Sequence, residues 1–218
     1  MDALPVLLIG QSPRPALEAE IAAAAPRLRF ELRGALDGLT AGEVAGLRPR
    51  DGPDTLFTIM PWGEATTVSK AAVTERMAGL LGGLQGPVLL ACTGAFPGLP
   101  DHPGLILPSA VLNALGEALL PRGRLGLFVP LAEQAETLVA KRAREGLEVE
   151  AVVLAPGSDG AAVDAAAARL APFRPDLVLL DCMSYTRADK ARVARILPCP
   201  ILLSIAVAAR AAASLAPE

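Results

Sequence analysis

The sequence predicts an α/β fold made of two similar halves, each with a mainly parallel sheet flanked by helices. Short apolar runs that resemble buried strands alternate with segments of helical periodicity, which favours parallel strands joined by right-handed crossovers. Each half opens with a strand, at residues 6–9 and 125–129, and each contains an apolar strand that ends in a cysteine, Cys92 or Cys182. With 218 residues, the chain is long enough for each half to bury its own core.

The individual elements follow from periodicity and turn residues. Strands are predicted at residues 5–10, 27–33, 55–60, 88–91, 125–129, 149–154, 177–180 and 200–204. Helices are predicted from residue 13 or 15 to about 25, then at 43–47, 73–84, 109–119, 133–145, 162–171, 186–197 and in the alanine-rich tail. The helix at 73–84 has one apolar face, formed by Val73, Met77, Leu80, Leu81 and Leu84.

Cap signals and a proline-rich segment complete this outline. Ser12 is predicted near the N-cap of the first helix, and Thr186 with Asp189 resembles a capping box. Residues 93–108 contain three glycines, four prolines and the only histidine, His102, so they are predicted to form a loop that acts as a lid or crosses between the halves.

Composition excludes several classes of partner. The net charge of -3, from 20 basic and 23 acidic residues spread along the chain, gives no basic stripe for nucleic acid. No apolar run reaches the length of a membrane span, and the N-terminus lacks a signal-peptide pattern. Three cysteines form no even disulfide framework. We therefore expect a cytoplasmic protein with reduced thiols, neither membrane-bound nor associated with nucleic acid.

Familiar catalytic motifs are missing from the sequence. No G-x-G-x-x-G follows the first strand, where Pro13 and Pro15 occupy the turn, and there is no P-loop. With His102 as the only histidine, an H-E-x-x-H metal site is excluded, and His102 itself is interpreted as a solvated loop residue. No metal site is predicted.

Cys92 and Cys182 are the candidate catalytic residues. Both follow predicted strands, and ligands of open α/β sheets bind beyond the carboxyl ends of parallel strands. A thiol ordinarily titrates near pKa 8.5, and beside a helix N-terminus this can fall to about 7, which suits a base near neutrality. Each thiol also has a purely structural interpretation as a small buried apolar group. Cys199, between two prolines, is interpreted as structural.

Six further residues are candidate substrate contacts, and three of them have a competing structural interpretation. Backbone amides and hydroxyls in the turns after two strands could hold a carboxylate, although a serine there could serve only as a helix cap and a threonine only as a turn residue. The only tyrosine, close after Cys182, could line the site or anchor its loop. The candidates are Gln11, Ser12, Thr93, Gly94, Met183 and Tyr185.

Several segments together resemble the AroM family, which is placed with the aspartate/glutamate racemase-like superfamily. The segments are Ile9-Gly-Gln-Ser-Pro-Arg14, Ala35-Leu-Asp-Gly-Leu39, Cys92-Thr-Gly94, Leu107-Pro-Ser109, Leu131-Ala-Glu-Gln134 and Leu180-Asp-Cys-Met-Ser-Tyr185. The resemblance covers essentially the whole chain. It implies two α/β lobes with the active site in the cleft between them and one cysteine from each lobe. It also implies that the C-terminal helix returns to the first lobe, giving lobes of residues 1–108 with 205–218 and 109–204.

The resemblance also implies chemistry. The related racemases need no metal, flavin or pyridoxal cofactor, and use two thiols as opposed acid and base on one substrate carbon. In those racemases the first cysteine is usually followed by Asn-Thr and the second lies in a Gly-Cys-Thr setting. Here Thr93 and Gly94 follow Cys92, while Asp181 and Met183 flank Cys182. Amino-acid specificity is therefore not carried over.

Together these observations predict a cofactor-independent racemase-like enzyme that transfers a proton on a small, amino-acid-like carboxylate. One alternative is a one-thiol isomerase or decarboxylase that depends on Cys182, with Cys92 only lining the pocket. Others are a non-catalytic small-molecule binding or regulatory protein and a redox pair of thiols. The expected partner is a small carboxylate substrate, and the sequence leaves a homodimer open.

Overall fold

The computed structural model describes residues 3–216. Contacts within the chain divide it into two units. Among the described residues, unit 1 contains residues 3–109 and 208–216, and unit 2 is Ala110–Val207. The C-terminal helix therefore has its first residues in unit 2 and the rest in unit 1.

Unit 1 is built on a four-stranded parallel sheet with an added hairpin. Its strands are β1 (Leu4–Leu8), β2 (Phe30–Gly34), β3 (Thr55–Ile59), β4 (Ala65–Ser69), β5 (Val88–Leu90) and β6 (Leu105–Ile106). Its helices are α1 (Pro15–Ala24), α2 (Ala41–Gly46) and α3 (Lys70–Gly82), and α4 (Pro108–Leu119) begins at its end.

Unit 2 contains a second parallel sheet of four strands. The strands are β7 (Gly123–Val129), β8 (Leu147–Val153), β9 (Leu177–Leu180) and β10 (Ile201–Leu203). The helices are α5 (Ala132–Arg142), α6 (Gly160–Leu170), α7 (Arg187–Ile196) and the start of α8 (Ser204–Leu215).

The two parallel sheets share one strand order. Unit 1 has the order β2-β1-β5-β6, and unit 2 has the order β8-β7-β9-β10. In both, the strand that precedes a cysteine is central, next to the strand that opens the sheet. The predicted α/β class with two similar, mainly parallel halves is thus confirmed. The cysteine strands are fully apolar and buried, as the sequence predicted.

The prediction of strictly alternating strands and helices was wrong at the third strand. β3 pairs antiparallel with β4, from Thr55 opposite Ser69 to Ile59 opposite Ala65, and forms a separate two-stranded sheet. Pro61 does not end an isolated strand but belongs to the hairpin turn, which the Met60 amide closes by donating to Glu64. β4 was missed because its residues are largely polar and exposed at one end, which gives no apolar periodicity.

The helices cover the sheets as their sequence patterns predicted. In α3, the side chains of Val73, Met77 and Leu81 are fully buried in the core of unit 1, which confirms the predicted apolar face. Burial of each such side chain stabilises the fold by about 1.5–3 kcal/mol. The capping box predicted for α7 is present: the Asp189 amide donates to the Thr186 hydroxyl, and the Thr186 amide donates to the Asp189 carboxylate.

Gly34, the last residue of β2, allows the loop that follows it to approach the end of β1. A Cβ at this position would lie 2.5 Å from the Gly10 carbonyl oxygen and 2.8 Å from the Gln11 Cα. These are backbone atoms, which cannot move aside as a flexible side chain would. The turn after β1 and the loop after β2 are therefore packed backbone to backbone.

We expect Gly34→Ala to lower the free energy of unfolding by about 1–3 kcal/mol, because the added methyl overpacks this contact. Gly79→Ala is the matched control. Gly79 lies inside α3 with no atom within 4 Å of its would-be Cβ, so it should gain up to about 1 kcal/mol from helix propensity. Urea unfolding followed by circular dichroism measures both, and equal effects of the two substitutions would contradict the packing account.

Candidate functional site

The two cysteines occupy equivalent positions in their units. β5 ends at Leu90 and β9 ends at Leu180, so each cysteine is the second residue beyond its strand. The residue before each cysteine continues the pairing: the Ala91 amide donates to the Leu7 carbonyl at 2.7 Å, and the Asp181 amide to the Phe128 carbonyl at 2.9 Å. Each thiol therefore lies at the carboxyl edge of its own sheet, where ligands bind in this class of fold.

The sulfur of Cys92 receives a hydrogen bond from its own turn. The Gly94 amide donates to Cys92 Sγ over 3.3 Å, and the Cys92 amide donates to the Leu90 carbonyl at 2.9 Å. Thr93 between them is buried, whereas Cys92 and Gly94 are half-buried. This turn therefore directs a backbone N–H at the sulfur.

The side chains of Gln11 and Ser12 hold the turn after β1 to the loop after β2. The amide nitrogen of Gln11 donates to the carbonyls of Leu36 and Leu39, at 2.9 and 2.7 Å. The amide and hydroxyl of Ser12 donate to the two carboxylate oxygens of Asp37, at 2.7 and 2.8 Å. Ser12 is therefore not the cap of α1, whose N-cap is Arg14 without a side-chain bond. A role for either side chain in substrate binding stays a prediction.

Thr58 is a residue near this edge that the sequence did not indicate. Its side chain is 1% exposed, and its hydroxyl has no hydrogen-bond partner among residues 3–216. A Cβ on Gly10 would lie 2.3 Å from this hydroxyl, and one on Gly94 would lie 3.7 Å from the Leu56 side chain. β3 thus packs against the turns after β1 and β5. The sequence shows Thr58 only as an ordinary strand residue.

Tyr185 anchors the turn that contains Cys182. Its hydroxyl donates to the Leu154 carbonyl at 2.5 Å, and its amide approaches the Cys182 carbonyl at 3.4 Å. Burial raises the pKa of Tyr185 well above its usual value of 10.0, and the negative charges of Cys182, Asp181 and Asp189 raise it further. Of the two interpretations of Tyr185 from the sequence, these contacts support the anchor.

A buried ion pair lies beside Cys182 in the sequence. The Arg142 guanidinium donates through Nε and Nη2 to one carboxylate oxygen of Asp181, at 3.2 and 2.8 Å. Its Nη1 donates to the side-chain oxygen of Asn113 at 2.7 Å. Sequence reasoning noted Asp181 but missed both partners. The available signal was a charged residue at the end of a fully apolar strand, which requires a buried counter-charge.

The remaining thiol and the histidine lie elsewhere. Cys199 precedes β10 and so lies at the amino end of its strand, and burial raises the pKa of its thiol. His102 Nδ1 accepts from the Gly104 amide at 3.2 Å, which leaves Nε2 to donate to the Leu84 carbonyl at 3.3 Å. No cluster of three metal-ligating side chains occurs within residues 3–216. All three cysteines are thiols rather than disulfides.

The structure therefore assembles the candidate residues as two groups, one in each unit. Cys92, Thr93 and Gly94 lie beside the turn with Gln11 and Ser12, because β1 and β5 are neighbours. In unit 2, Cys182, Met183 and Tyr185 form the turn after β9, with Met183 and Tyr185 buried and Cys182 half-buried. In the described part of the chain, no helix is long and apolar enough to span a bilayer.

Comparison with solved structures finds the same fold in two racemases and a decarboxylase. A glutamate racemase from Bacillus anthracis matches with a TM-score of 0.64 at 14% identity, over 97% of this chain and 80% of that one. An arylmalonate decarboxylase matches with 0.57 at 19% identity, over 97% and 92%. Aspartate racemase from Picrophilus torridus matches with 0.55 at 12% identity, over 99% and 96%. These identities show a common fold only.

The family is defined more closely by sequence. The AroM protein family model matches residues 4–216, so this chain belongs to the AroM family. The comparison with curated proteins gave no match.

The titration of Tyr185 tests the environment of Cys182. Because it is the only tyrosine, tyrosinate absorbance reports on it alone. We expect it to ionise well above pH 10.0 in the folded protein, and Cys182→Ser to lower that midpoint by removing a negative charge. Cys199→Ser is the control and should leave the midpoint unchanged.

The raised pKa of Tyr185 also makes the free energy of unfolding depend on pH. The folded protein retains a proton that the unfolded chain releases near pH 10, so this contribution is complete below that pH and is lost as the pH rises further. An ordinary tyrosine midpoint in the folded protein would contradict the described burial.

Proposed function

We propose that this protein is a cofactor-independent racemase-like enzyme that moves a proton on the carbon next to the carboxylate of a small, amino-acid-like substrate. The observation that carries the proposal is the equivalence of Cys92 and Cys182, each the second residue beyond a central strand of a sheet with the same order. Structural neighbours include glutamate racemase in complex with D-glutamate, allantoin racemase and arylmalonate decarboxylase.

In the proposed reaction, the thiolate of one cysteine removes the proton from the α-carbon. The electron pair left on carbon is delocalised into the adjacent carboxylate. The thiol of the other cysteine donates its proton to the opposite face of the same carbon. The product is the mirror-image acid, and the two sulfurs have exchanged protonation states. No oxidant, reductant or added group is needed for the atoms and charges to balance.

We propose two different roles for the six candidate substrate-binding residues. Thr93 and Met183 adjoin the cysteines in sequence and Gly94 follows Thr93, so we assign these three to direct contact with substrate. Gln11, Ser12 and Tyr185 use their side chains to fix the turns, through Leu36, Asp37 and Leu154 respectively. We assign these three to shaping the site. Homodimer formation and a cytoplasmic location remain expectations from the sequence.

A one-thiol isomerase or decarboxylase is the second candidate, because the surroundings of the cysteines differ. A charged and buried network lies next to Cys182, whereas the equivalent position before Cys92 is occupied by Ala91. An enzyme that needs one activated thiol would need such a network only once. In that reaction Cys182 would act as nucleophile or proton donor and Cys92 would line the pocket.

The two candidate mechanisms predict different remaining activities for variants that lack one cysteine. Under the two-base mechanism, Cys92→Ser and Cys182→Ser should each abolish racemisation, since a serine hydroxyl is far too weak an acid to supply a base near neutrality. Each variant should still exchange the α-proton of one enantiomer with heavy water through its remaining thiolate. The two variants should therefore show opposite enantiomer preferences, and Cys199→Ser should behave as wild type.

Proton NMR on both enantiomers of glutamate and aspartate, with allantoin and phenylmalonate, measures this exchange. Full turnover by Cys92→Ser together with an inactive Cys182→Ser would replace the two-base mechanism with the one-thiol candidate. Binding of a carboxylate by the wild type without any exchange or decarboxylation would support a binding or regulatory protein instead.

A further inference from the structure

The buried ion pair next to Cys182 is not required to hold the sheet together. In unit 1 the equivalent residue is Ala91, which makes the same backbone hydrogen bond to its neighbouring strand without any charge. An apolar residue therefore suffices for this position in the fold. The carboxylate of Asp181 is an addition that unit 2 has and unit 1 does not.

The pair is also an unfavourable choice for stability alone. The side chains of Arg142 and Asp181 are 4% and 0% exposed, so both charges are shielded from bulk water. Replacing such a pair with apolar residues is often neutral or stabilising, because desolvation offsets much of the attraction. By contrast, Arg192 and Asp164 pair at 2.6 Å with side chains 37% and 36% exposed, which involves far less desolvation.

The geometry fixes Asp181 from two directions. Its amide is held by Phe128 of β7, and its carboxylate by Arg142, the last residue of α5. Arg142 is fixed in turn by Asn113 of α4. The residue directly before Cys182 is therefore attached to a strand and, through Arg142, to two helices.

We propose that Arg142 and Asp181 are positioning residues for Cys182: the fixed Asp181 holds the turn that presents the thiol, and Arg142 neutralises the carboxylate so that Cys182 can become a thiolate. This rests on the proposed function only in taking Cys182 as the reacting thiol. Two negative charges on adjacent residues would otherwise oppose each other.

Other titratable and charged groups lie close to this turn in the chain. Tyr185 is buried and remains neutral at physiological pH, since its pKa is raised. Asp189 of α7 accepts hydrogen bonds from the amide and hydroxyl of Thr186, at 2.8 and 2.9 Å. The side chain of Arg187 is exposed. Arg142 contacts the Asp181 carboxylate directly, at 2.8 Å.

The test measures the reactivity of Cys182 in the full-length protein, with iodoacetamide as the probe. Mass spectrometry of the peptide that contains Cys182 gives its alkylation rate as a function of pH, separately from those of Cys92 and Cys199. Arg142→Met leaves a bare carboxylate, so it should shift the alkylation midpoint upward and slow the reaction at pH 7 about tenfold or more. Asp181→Asn leaves a bare guanidinium and should shift the midpoint downward. The double variant should return close to wild type.

Controls separate this role from a purely structural one. Arg192→Met and Asp164→Asn change charge at the exposed pair of the same unit and should leave the midpoint unchanged. Arg142→Lys retains the charge and should keep the midpoint near that of wild type. If Arg142→Met does not fold, Arg142→Lys and Asp181→Asn still test the proposal. It is supported if the alkylation midpoint of Cys182 shifts downward in Asp181→Asn and not in Arg142→Lys.

Two results would overturn the positioning role. One is a shift of the Cys182 alkylation midpoint in the same direction in Arg142→Met and Asp181→Asn. The other is a loss of unfolding free energy in both variants with no change in that midpoint. The readout does not depend on turnover. If the midpoints shift in opposite directions but the wild type catalyses no exchange, the proposed function fails and the positioning role stands.

Discussion

In both units a backbone hydrogen bond joins the residue before the cysteine to the strand that opens the sheet. Ala91 donates to Leu7, and Asp181 donates to Phe128. Because the acceptor strands are buried centrally in their sheets, these bonds carry the regular β geometry one residue past the end of the cysteine strand. The thiol then follows at a position that the sheet determines. Everything proposed for the chemistry depends on that placement.

Both units share this strand order and backbone hydrogen bond, but the two thiols have different surroundings. Cys92 Sγ is contacted by the Gly94 amide of its own turn, which is a local and neutral interaction. Cys182 follows a carboxylate whose counter-charge comes from 39 residues away in the chain, and its turn is anchored by a buried tyrosine. The turn of Cys92 is thus contacted from within, whereas the turn of Cys182 is attached to several elements of its unit.

Much of this arrangement could be predicted from local sequence. The apolar runs before Cys92 and Cys182 predicted buried strands, the periodicity of α3 predicted its buried face, and Thr186 with Asp189 predicted a helix start. The AroM resemblance added the relation to racemases. These features succeed because the residues that define them are close together in the chain.

The missed features depend on residues that are distant in the chain or lack a pattern. Ser12 contacts Asp37 across 25 residues and Arg142 contacts Asp181 across 39, and no spacing in the sequence connects either pair. In β4, Val68 is the one buried apolar residue, so the strand shows no apolar alternation that would predict its pairing with β3. Thr58 gains its significance only from the approach of Gly10.

The proposed two-base reaction requires Cys92 and Cys182 to act on the same small molecule, and thiol cross-linking tests this requirement without knowledge of the substrate. A short bifunctional alkylating reagent, 1,3-dibromoacetone, can join two thiols only across a gap the size of a small ketone. We expect a link between the Cys92 and Cys182 peptides within a single chain, found by mass spectrometry and absent in Cys92→Ser. Modification of Cys182 at full rate with no link to Cys92 would show that the two thiols do not share a substrate.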